Sequence, residues 1–203
     1  MLFKTVDAVA AHLRQTASPH RRILGIAGEP GAGKSTIAAA LAAQLGAALL
    51  PMDGYHLPKA ELVTLGRRDR MGAPDTFDVD GFVQTLADLR ISGGPVFAPS
   101  FDRWNEEAKA DTIVIQPEID TVIVEGNYLL LDGGGWGEVA GLLDEVFFVE
   151  VDPGIRLSRL IERHQYFGKT PEQARAWALG PDEANASLIR ATAPRADHTI
   201  RLD

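Results

Sequence analysis

Residues 28–35 constrain this chain more than any other segment. They read GEPGAGKS and match the phosphate-loop pattern G-x-x-x-x-G-K-[ST] at every fixed position. Glycines at these places allow turns that a Cβ would prevent, so that successive backbone N–H groups can converge on one anion. Lys34 is placed to reach the β- and γ-phosphates, and the Ser35 hydroxyl is placed to ligate Mg²⁺. The pattern predicts a binding site for a nucleoside triphosphate.

The segments on either side of this loop have the composition that the motif requires. Residues 23–27 are an apolar run typical of a strand, and residues 35–45 are rich in Ala and Leu, which is typical of a helix. A strand, a glycine-rich turn and a helix whose N-terminus faces the phosphates form such a site. The residues expected to hold ATP and its Mg²⁺ are Gly28, Glu29, Pro30, Gly31, Ala32, Gly33, Lys34, Ser35 and Thr36.

The composition limits what else the chain can be. Its 203 residues, 45% hydrophobic and 24% charged, suit one globular domain. The net charge of −8 argues against a nucleic-acid-binding surface. The absence of cysteine excludes disulfides, a thiolate nucleophile and a cysteine-ligated zinc site. No run approaches the roughly 20 apolar residues of a membrane span. We expect a cytoplasmic protein with neither a nucleic-acid partner nor membrane insertion. The oligomeric state stays open, a homodimer included.

Apolar runs alternate with helix-type windows along the chain. The strand-type runs are 23–27, 47–51, 96–99, 121–125, 145–151 and 198–201. The helix-type windows are 35–45, 79–91, 136–143, 153–165 and 171–190. Residues 109–115 are also strand-like but leave no room for a crossover helix, so they are predicted to form a hairpin arm. Nearly continuous apolar strands alternating with helices predict an α/β fold: a three-layer αβα sandwich with a parallel central sheet and helices on both faces.

Two irregular segments interrupt this alternation. Residues 57–76 are polar and basic, and residues 166–171 separate two helix-type windows. Such segments are candidates for mobile elements that close over ligands. We expect a single phosphate-loop domain over residues 1–203, with a small helical lid and lid-like elements near 57–76 and 156–171.

Three arginines of the helix-type window 153–165 are spaced so that they lie on one side of a helix. Arg156, Arg159 and Arg163 are three and four residues apart and therefore share one helix face. That face is either a lid that brings guanidinium groups to phosphates or a solvated surface paired with Glu162.

Two carboxylates follow strand-type runs. In a doubly wound sheet, ligands collect beyond the carboxyl ends of the strands. Asp53 could orient an acceptor hydroxyl and accept its proton, hold a Mg²⁺-bound water, or satisfy backbone N–H groups in a turn before Gly54. Glu125 either helps to organise Mg²⁺ and its waters or leaves the core for solvent.

Two groups of polar residues remain, one with two interpretations and one with none as a metal site. Asp102 and Arg103 lie between Phe101 and Trp104, where they could line a small-molecule pocket or start a hairpin with a surface ion pair. His56, His164 and His198 have no metal-ligand spacing among them, so no transition-metal site is predicted from them.

Taken in order, the motifs resemble one family. They are GEPGAGKST, MDGYH, RRDRMGAPDTFD, FDR, VIVEGNYLLL, EVFFVEVDPGIRLSRLIERH and RADHTI, and together they cover most of the chain. The chain resembles the uridine kinase, pantothenate kinase and phosphoribulokinase group of phosphate-loop kinases. More narrowly, it looks like a bacterial branch of nucleoside/nucleotide kinase family proteins that includes fructose transport-system kinases.

The resemblance implies roles for individual residues. Asp53 corresponds to the catalytic base of the group, and Glu125 corresponds to its glutamate before glycine at a core strand end. Arg159 and Arg163 correspond to the phosphate contacts of its lid helix, with Arg163 assisting catalysis. Arg195 lies where the fold often contacts the adenine base. The residues expected on the acceptor side are Asp53, Tyr55, His56, Arg67, Asp102 and Arg103.

The expected function is ATP-dependent phosphorylation of a hydroxyl group on a small molecule. Uridine kinases of the group usually carry a Ser-Phe-Tyr-type sequence after the base, whereas this chain has Gly54, Tyr55 and His56. This departure argues against a nucleoside acceptor and favours a pantothenate-like or sugar-like substrate. The expected acceptor is a sugar such as fructose, with pantothenate and a nucleoside as alternatives.

Other classes of function fit less well. A GTPase switch needs an Asn-Lys-x-Asp sequence, and the chain has no Asn-Lys pair. Nucleic-acid processing is disfavoured by the acidic balance. A nucleotide-binding regulatory subunit of a transport system stays open, although the intact Lys34, Ser35, Asp53 and Glu125 oppose a degenerate site.

Replacement of Lys34 by alanine tests the loop. Lys34→Ala should abolish turnover, because the variant loses the point charge that reaches the transferred phosphoryl group. ADP release from MgATP is the measurement. Near-normal activity of this variant would refute the predicted site.

Overall fold

A parallel sheet organises the chain, and the computed structural model describes it over residues 1–16, 18 and 20–202. The strands of the described part are β1 (Leu2–Phe3), β2 (Arg22–Gly28), β3 (Ala48–Pro51), β4 (Val96–Asp102), β5 (Glu107–Ile115), β6 (Thr121–Gly126), β7 (Glu145–Val149) and β8 (His198–Ile200). Six of these form one sheet in the order β1-β8-β7-β2-β6-β3, and every pairing in it is parallel. The prediction of an α/β fold with a parallel central sheet is confirmed.

Helices cover the sheet and connect its strands. They are α1 (Val6–Gln15), α2 (Lys34–Leu45), α3 (Lys59–Thr64), α4 (Val79–Ile91), α5 (Pro153–Tyr166), α6 (Pro171–Leu179) and α7 (Pro181–Arg190). Several begin at residues whose side chains accept hydrogen bonds from the free N–H groups of the first turn. Asp78 caps α4 and Asp152 caps α5, while Thr170 and Gln173 form a capping box at α6.

The two faces of the sheet bury different side chains of the same strands. Along β7, Phe147 packs with Val9 and Leu41 beneath α1 and α2. Its neighbour Phe148 packs on the opposite face with Phe82 of α4. Because successive strand residues point to opposite faces, a strand with helices on both sides needs apolar residues throughout. This accounts for the nearly continuous apolar runs in the sequence.

Three of the five helix-type windows, 35–45, 79–91 and 153–165, coincide closely with α2, α4 and α5, but the other two predictions need correction. Residues 136–143 were predicted to be a helix, and the structure shows two short 3-10 turns, Trp136–Glu138 and Ala140–Leu142. Glycines at 137 and 141 weaken helix formation there, and the turns let the Trp136 ring enter the core. The window 171–190 was predicted as one helix but is split into α6 and α7 at Pro181, which lacks the N–H that a continuous helix needs.

A separate hairpin explains another group of predictions. Residues 109–115 lie within β5, which pairs antiparallel with β4, so the predicted hairpin arm is confirmed. The strand predicted at 96–99 extends to Asp102 and belongs to this hairpin rather than to the central sheet. In the described part of the chain, no helix is long and apolar enough to cross a membrane.

The sheet order places one crevice where ligands are expected. β2 lies between β6 and β7, while the chain itself runs from β2 through α2 to β3. The phosphate loop follows β2, Asp53 follows β3, and Glu125 lies near the end of β6. These three features therefore meet at the carboxyl edge of the sheet, where α/β folds bind their ligands.

Gly54 provides a test of how closely the hairpin packs on this edge. A Cβ added at Gly54 would lie 2.2 Å from the Pro99 carbonyl oxygen. Gly54→Ala should therefore lower the free energy of unfolding by about 1–3 kcal/mol, because backbone atoms must move apart. Urea unfolding measures the change.

Gly93→Ala is the matched control, because a Cβ there meets no atom within 4 Å. Its free energy of unfolding should stay within about 0.5 kcal/mol of the parent chain. If the Gly54→Ala and Gly93→Ala variants unfolded at the same urea concentration, the result would contradict the close contact between Gly54 and Pro99.

Candidate active site

The phosphate loop has the backbone conformation that anion binding requires. Gly31 and Gly33 have φ values of 81° and 94°, in the left-handed region that favours glycine. Gly33 is also the N-cap of α2, so the free N–H groups of the first helical turn face the loop. The Lys34 side chain is buried and donates a hydrogen bond to the Glu29 carbonyl oxygen at 2.9 Å. The loop and the helix N-terminus together form a site for phosphate groups.

Lys34 is a buried cation between two carboxylates. Burial lowers its pKa to about 8, against the opposing influence of Glu125 and Asp53. The ammonium group is therefore still largely protonated at neutral pH. Its charge is available to a phosphate that enters the loop.

Ser35 and Glu125 form the oxygen-rich part of the site. The Ser35 hydroxyl donates to Glu125 Oε1 at 3.0 Å. Burial raises the pKa of Glu125, and the neighbouring Asp53 carboxylate raises it further. A cation placed beside Glu125 would relieve this cost by favouring the ionised form. A hydroxyl and a carboxylate are the hard oxygen ligands that Mg²⁺ prefers, so these two residues fit that ion.

Asp53 is held beside an arginine from the hairpin. Arg103 Nη2 donates to Asp53 Oδ2 at 2.5 Å. Burial alone would raise the pKa of Asp53, but Arg103, followed by His56, Arg163 and Lys34, outweighs it, and the pKa lies below the usual range. The carboxylate is therefore ionised at neutral pH, in the form that can accept a proton.

The arginines of α5 have different environments. Arg163 lines the pocket, and burial together with the repulsion from Arg103 lowers its pKa. Arg159 is exposed, with Nη1 3.5 Å from where a Cβ on Gly33 would lie. Arg156 is 3% exposed and pairs with Glu29 and Glu183. Arg159 and Arg163 thus border the phosphate loop, whereas Arg156 is occupied in a buried ion-pair network.

His56 is fixed by aromatic rings and by the backbone. Its ring lies 4.1 Å from Phe77 and 4.5 Å from Phe101, measured between centroids. Nδ1 lies 2.7 Å from the Asp53 carbonyl oxygen, which can only accept, so Nδ1 carries the proton. Burial lowers the pKa of His56, so the neutral ring predominates at neutral pH and Nε2 is an acceptor.

The same pocket contains residues that sequence reasoning missed. They are Arg68, Met71, Gly72, Phe77, Glu106, Asn127, His164, Phe167, Lys169, Trp177, Asp182 and Asn185. Six of them, Arg68, Met71, Gly72, His164, Phe167 and Lys169, lie in the segments predicted to be lid-like, although none was named as a site residue. Asn127 also carried a signal, because it directly follows Glu125 and Gly126 at a strand end. The missed residues other than Asn127 lie on the basic segment 57–76 and the adjacent Phe77, on the hairpin, or between residues 164 and 185, and no local pattern in the sequence predicts how these parts of the chain are placed relative to one another.

Several residues expected on the acceptor side have partners outside the lining of this pocket. Tyr55 is buried and donates to the Thr85 hydroxyl at 2.8 Å, and burial raises its pKa to about 12. Arg67 donates to the Asp75 carbonyl oxygen at 2.7 Å. The 3-10 turn at 52–55 aims the Tyr55 ring into the core rather than into the crevice.

Two further expected residues also have other partners. Asp102 accepts from the Trp104 backbone N–H at 2.9 Å and pairs with Lys109 at 2.8 Å. The contacts of Asp102 therefore agree with the second interpretation, in which it starts a hairpin and forms a surface ion pair. Arg195 donates to the Leu130 carbonyl oxygen and pairs with Asp132, near the carboxyl end of β6.

Comparison with known proteins gives a consistent picture. No protein-family model matches the chain. An ATP-dependent kinase-like protein of Aspergillus versicolor is 41% identical over 148 residues, which are 68% of this chain and 86% of that protein. A second relative is a Schizosaccharomyces pombe protein named as a candidate uridine kinase. It is 33% identical over 168 residues, which are 76% of this chain and 72% of that protein. The crystal structure of a candidate fructose transport-system kinase from Silicibacter sp. TM1040 superposes with a TM-score of 0.89 at 36% identity, covering 96% and 98% of the two chains.

The Asp53–Arg103 pair generates a prediction about pH and stability. Arg103→Ala should lower the free energy of unfolding at pH 7 by about 1–2 kcal/mol, because Asp53 loses its nearest cation in a partly exposed site. The folded-state pKa of Asp53 is depressed, so its contribution is present above the unfolded value near 3.9 and is lost as the pH falls through the folded value. The difference between parent and variant should therefore narrow as the pH falls from 7 to below about 4.

Denaturant unfolding at several pH values checks this prediction. Arg201→Ala is the control, because Arg201 forms an exposed pair with Glu150 and should cost less than about 1 kcal/mol. A difference for Arg103→Ala that does not change with pH would show that Arg103 acts by packing and not through the charge of Asp53.

Proposed function

Because the chain belongs to the phosphate-loop kinases of the uridine kinase and pantothenate kinase group, we propose that it transfers the γ-phosphoryl group of ATP to a hydroxyl group of a sugar-like small molecule. Membership makes the chain a phosphotransferase, and kinases of this type use ATP, typically with Mg²⁺. The sugar-like acceptor and the role of each residue belong to the proposal.

One observation carries the proposal. A single pocket is lined by Lys34, Ser35, Asp53, Glu125 and Arg163. Phosphoryl transfer asks the protein for positioning and for charge stabilisation rather than for covalent chemistry. A cation for the phosphates, two oxygen ligands for Mg²⁺ and an ionised carboxylate are the groups that this reaction needs.

Asp53 is the proposed base. The acceptor hydroxyl gives its proton to the Asp53 carboxylate, its oxygen forms a bond to the γ-phosphorus, and the bond from that phosphorus to the leaving oxygen of ADP breaks. A low pKa keeps the carboxylate ionised, and Arg103 fixes the direction of one of its oxygens. This arrangement suits orientation of the hydroxyl with late proton transfer, as in a loose transition state.

The cations of the pocket are the proposed stabilisers of the transferred group. Lys34, Asp53 and Arg163 line the same pocket, and both cations lower the pKa of Asp53. Arg159, exposed beside Gly33, is proposed to contact the phosphates. Mg²⁺ held by Ser35 and Glu125 would neutralise phosphate charge.

The lid-like segments are proposed to close this volume to water. The exposed Trp104 ring of the hairpin lies 5.5 Å from Tyr166 and 5.1 Å from Phe167 at the end of α5. Aromatic contacts of this kind are worth about 0.5–1.5 kcal/mol each, enough to hold a lid that must also open. Exclusion of water would suppress hydrolysis of ATP in the absence of an acceptor.

The acceptor side supports a hydroxyl-rich molecule. His56 Nε2 is an acceptor, Arg68 and Glu106 are paired at 2.5 Å, and Asn127 offers both a donor and an acceptor. These groups lie in the same pocket as Asp53, and hydroxyl groups can bond to all of them. The Silicibacter protein, whose name refers to fructose transport, supports the same choice.

Two alternatives remain part of the proposal. The rings of His56, Phe77 and Phe101 lie together at the pocket, and a nucleobase or the apolar part of pantothenate could pack against them. A nucleotide-binding regulatory subunit of a transport system is the alternative of another class.

We further propose one domain over residues 1–203, a cytoplasmic location and, as an alternative to a monomer, a homodimer.

The test is ADP release from MgATP with a panel of acceptors: fructose, other sugars, pantothenate, uridine, cytidine and glycerate. A sugar that raises the rate well above the background without acceptor supports the proposal. Stimulation only by uridine, cytidine or pantothenate would overturn the sugar assignment. Clear MgATP binding with no stimulation by any member would favour the regulatory alternative.

Asp53→Asn tests the role of the base. It should lower kcat by about 10²–10⁴-fold while leaving ATP affinity within a few-fold, because the carboxylate acts on the acceptor and not on the nucleotide. Stimulated ADP release and ATP titration give the two numbers. Asp111→Asn, at an exposed carboxylate of β5, is the matched control and should change neither. Equal losses of kcat and ATP affinity would instead indicate a metal-binding or structural role for Asp53.

A further inference from the structure

Three side chains converge at the edge of the sheet opposite to the pocket. They are His12 from α1, Glu145 at the start of β7 and His198 at the start of β8. We propose that this His–Glu–His cluster is a binding site for a divalent transition metal ion of the Zn²⁺ class, distinct from the Mg²⁺ site of the kinase reaction.

The geometry of the cluster carries the proposal. His12 Nε2 lies 2.6 Å from Glu145 Oε1, and His198 Nε2 contacts the same oxygen. One possible ligand atom from each residue lies within 4.8 Å of the other two. Two imidazole nitrogens and one carboxylate oxygen therefore already point at a common place. An ion with bonds of about 2.0–2.2 Å needs only small side-chain rotations to lie between them.

The surroundings hold the imidazole rings in this orientation. The Phe3 ring lies 5.4 Å from His12 and 5.6 Å from His198, and the Phe147 ring lies 5.0 Å from His198. The cluster is largely shielded, with side-chain exposures of 11–18%. Metal ligands are usually oriented by such a shell, which also limits the access of solvent.

The ligand set indicates the class of ion. Imidazole nitrogens suit Zn²⁺, Co²⁺, Ni²⁺ and Fe²⁺, whereas Mg²⁺ and Ca²⁺ prefer oxygen ligands throughout. Three protein ligands leave a fourth position for water. The amino nitrogen of Met1, 3.0 Å from His198 Nδ1, is a further polar group beside the cluster.

The position indicates a structural and not a catalytic role. Glu145 begins β7, whereas the reaction takes place beyond the carboxyl ends of the strands. A five-residue strand separates the two edges by about 15 Å. The ligands are 133 and 53 residues apart along the chain, so an ion would join α1 to the last two strands of the sheet. Because binding requires the folded arrangement, the ion would stabilise the fold by mass action.

Zn²⁺ binding to the full chain, freed of metal and of any histidine tag, tests the proposal. Calorimetric titration should show one Zn²⁺ site per chain at the cluster. Any additional Zn²⁺ binding at the phosphate loop is identified as the part that Glu125→Gln removes. At a free Zn²⁺ concentration of about 100 times Kd, the Tm should rise by about 5–10 °C. His12→Ala and His198→Ala should each weaken binding at least about 100-fold and remove the Zn²⁺-dependent rise in Tm.

Controls separate the metal site from a hydrogen-bonded cluster. His20→Ala, at an exposed histidine outside the cluster, should bind Zn²⁺ as the parent chain does. Tm measured in chelator shows whether each variant folds, and His12→Gln supplies a milder substitution if the alanine variant does not. Absence of a Zn²⁺ site from the parent chain, or equal Zn²⁺ affinity in the parent and the folded His12 and His198 variants, would overturn the proposal.

Discussion

The burial of Lys34 between two carboxylates is the interaction on which the pocket depends. Burial lowers the pKa of Lys34, while it raises that of Glu125. Asp53 departs in the opposite direction from Glu125, because Arg103 supplies a cation at hydrogen-bond distance. The pKa values of two carboxylates at adjacent strand ends are thus shifted in opposite directions. Asp53 is ionised and ready to accept a proton, whereas Glu125 is best ionised when a cation joins it, as expected of a base and a metal ligand.

Ion pairs join the phosphate loop to α5 and α7. Glu29 of the loop pairs with Arg156 of α5 at 3.1 Å and with Arg190 of α7 at 2.7 Å. A Cβ on Gly31 would lie 2.8 Å from the Arg156 carbonyl oxygen, so the loop and the start of α5 are in close contact. The first turn of α5 is therefore anchored on the loop. Arg159 and Arg163 lie farther along the same helix and border the phosphate loop.

Sequence reasoning reached the parts of the site that depend on local pattern. The phosphate loop, Asp53 and Glu125 each follow a recognisable strand, and the sheet necessarily brings such strand ends together. Whether a side chain enters the pocket depends instead on packing, which separates His56 from the adjacent Tyr55. The prolines and glycines that broke two predicted helices were visible in the sequence, but hydrophobic periodicity masked their effect.

The residues proposed to contact the acceptor lie on the elements with the weakest sequence pattern. Arg68 comes from the basic segment and Glu106 from the hairpin turn, and their ion pair joins the two elements over the pocket. Neither element belongs to the central sheet, and the side chains of Arg68 and Glu106 lie outside the buried core, so these two residues can change without altering the strands that carry the phosphate loop. Similar scaffolds can therefore present the same base and the same cations to different hydroxyl compounds. The reaction class therefore follows from the phosphate loop and the strand ends, whereas under the proposed function the acceptor depends on contacts between two peripheral segments.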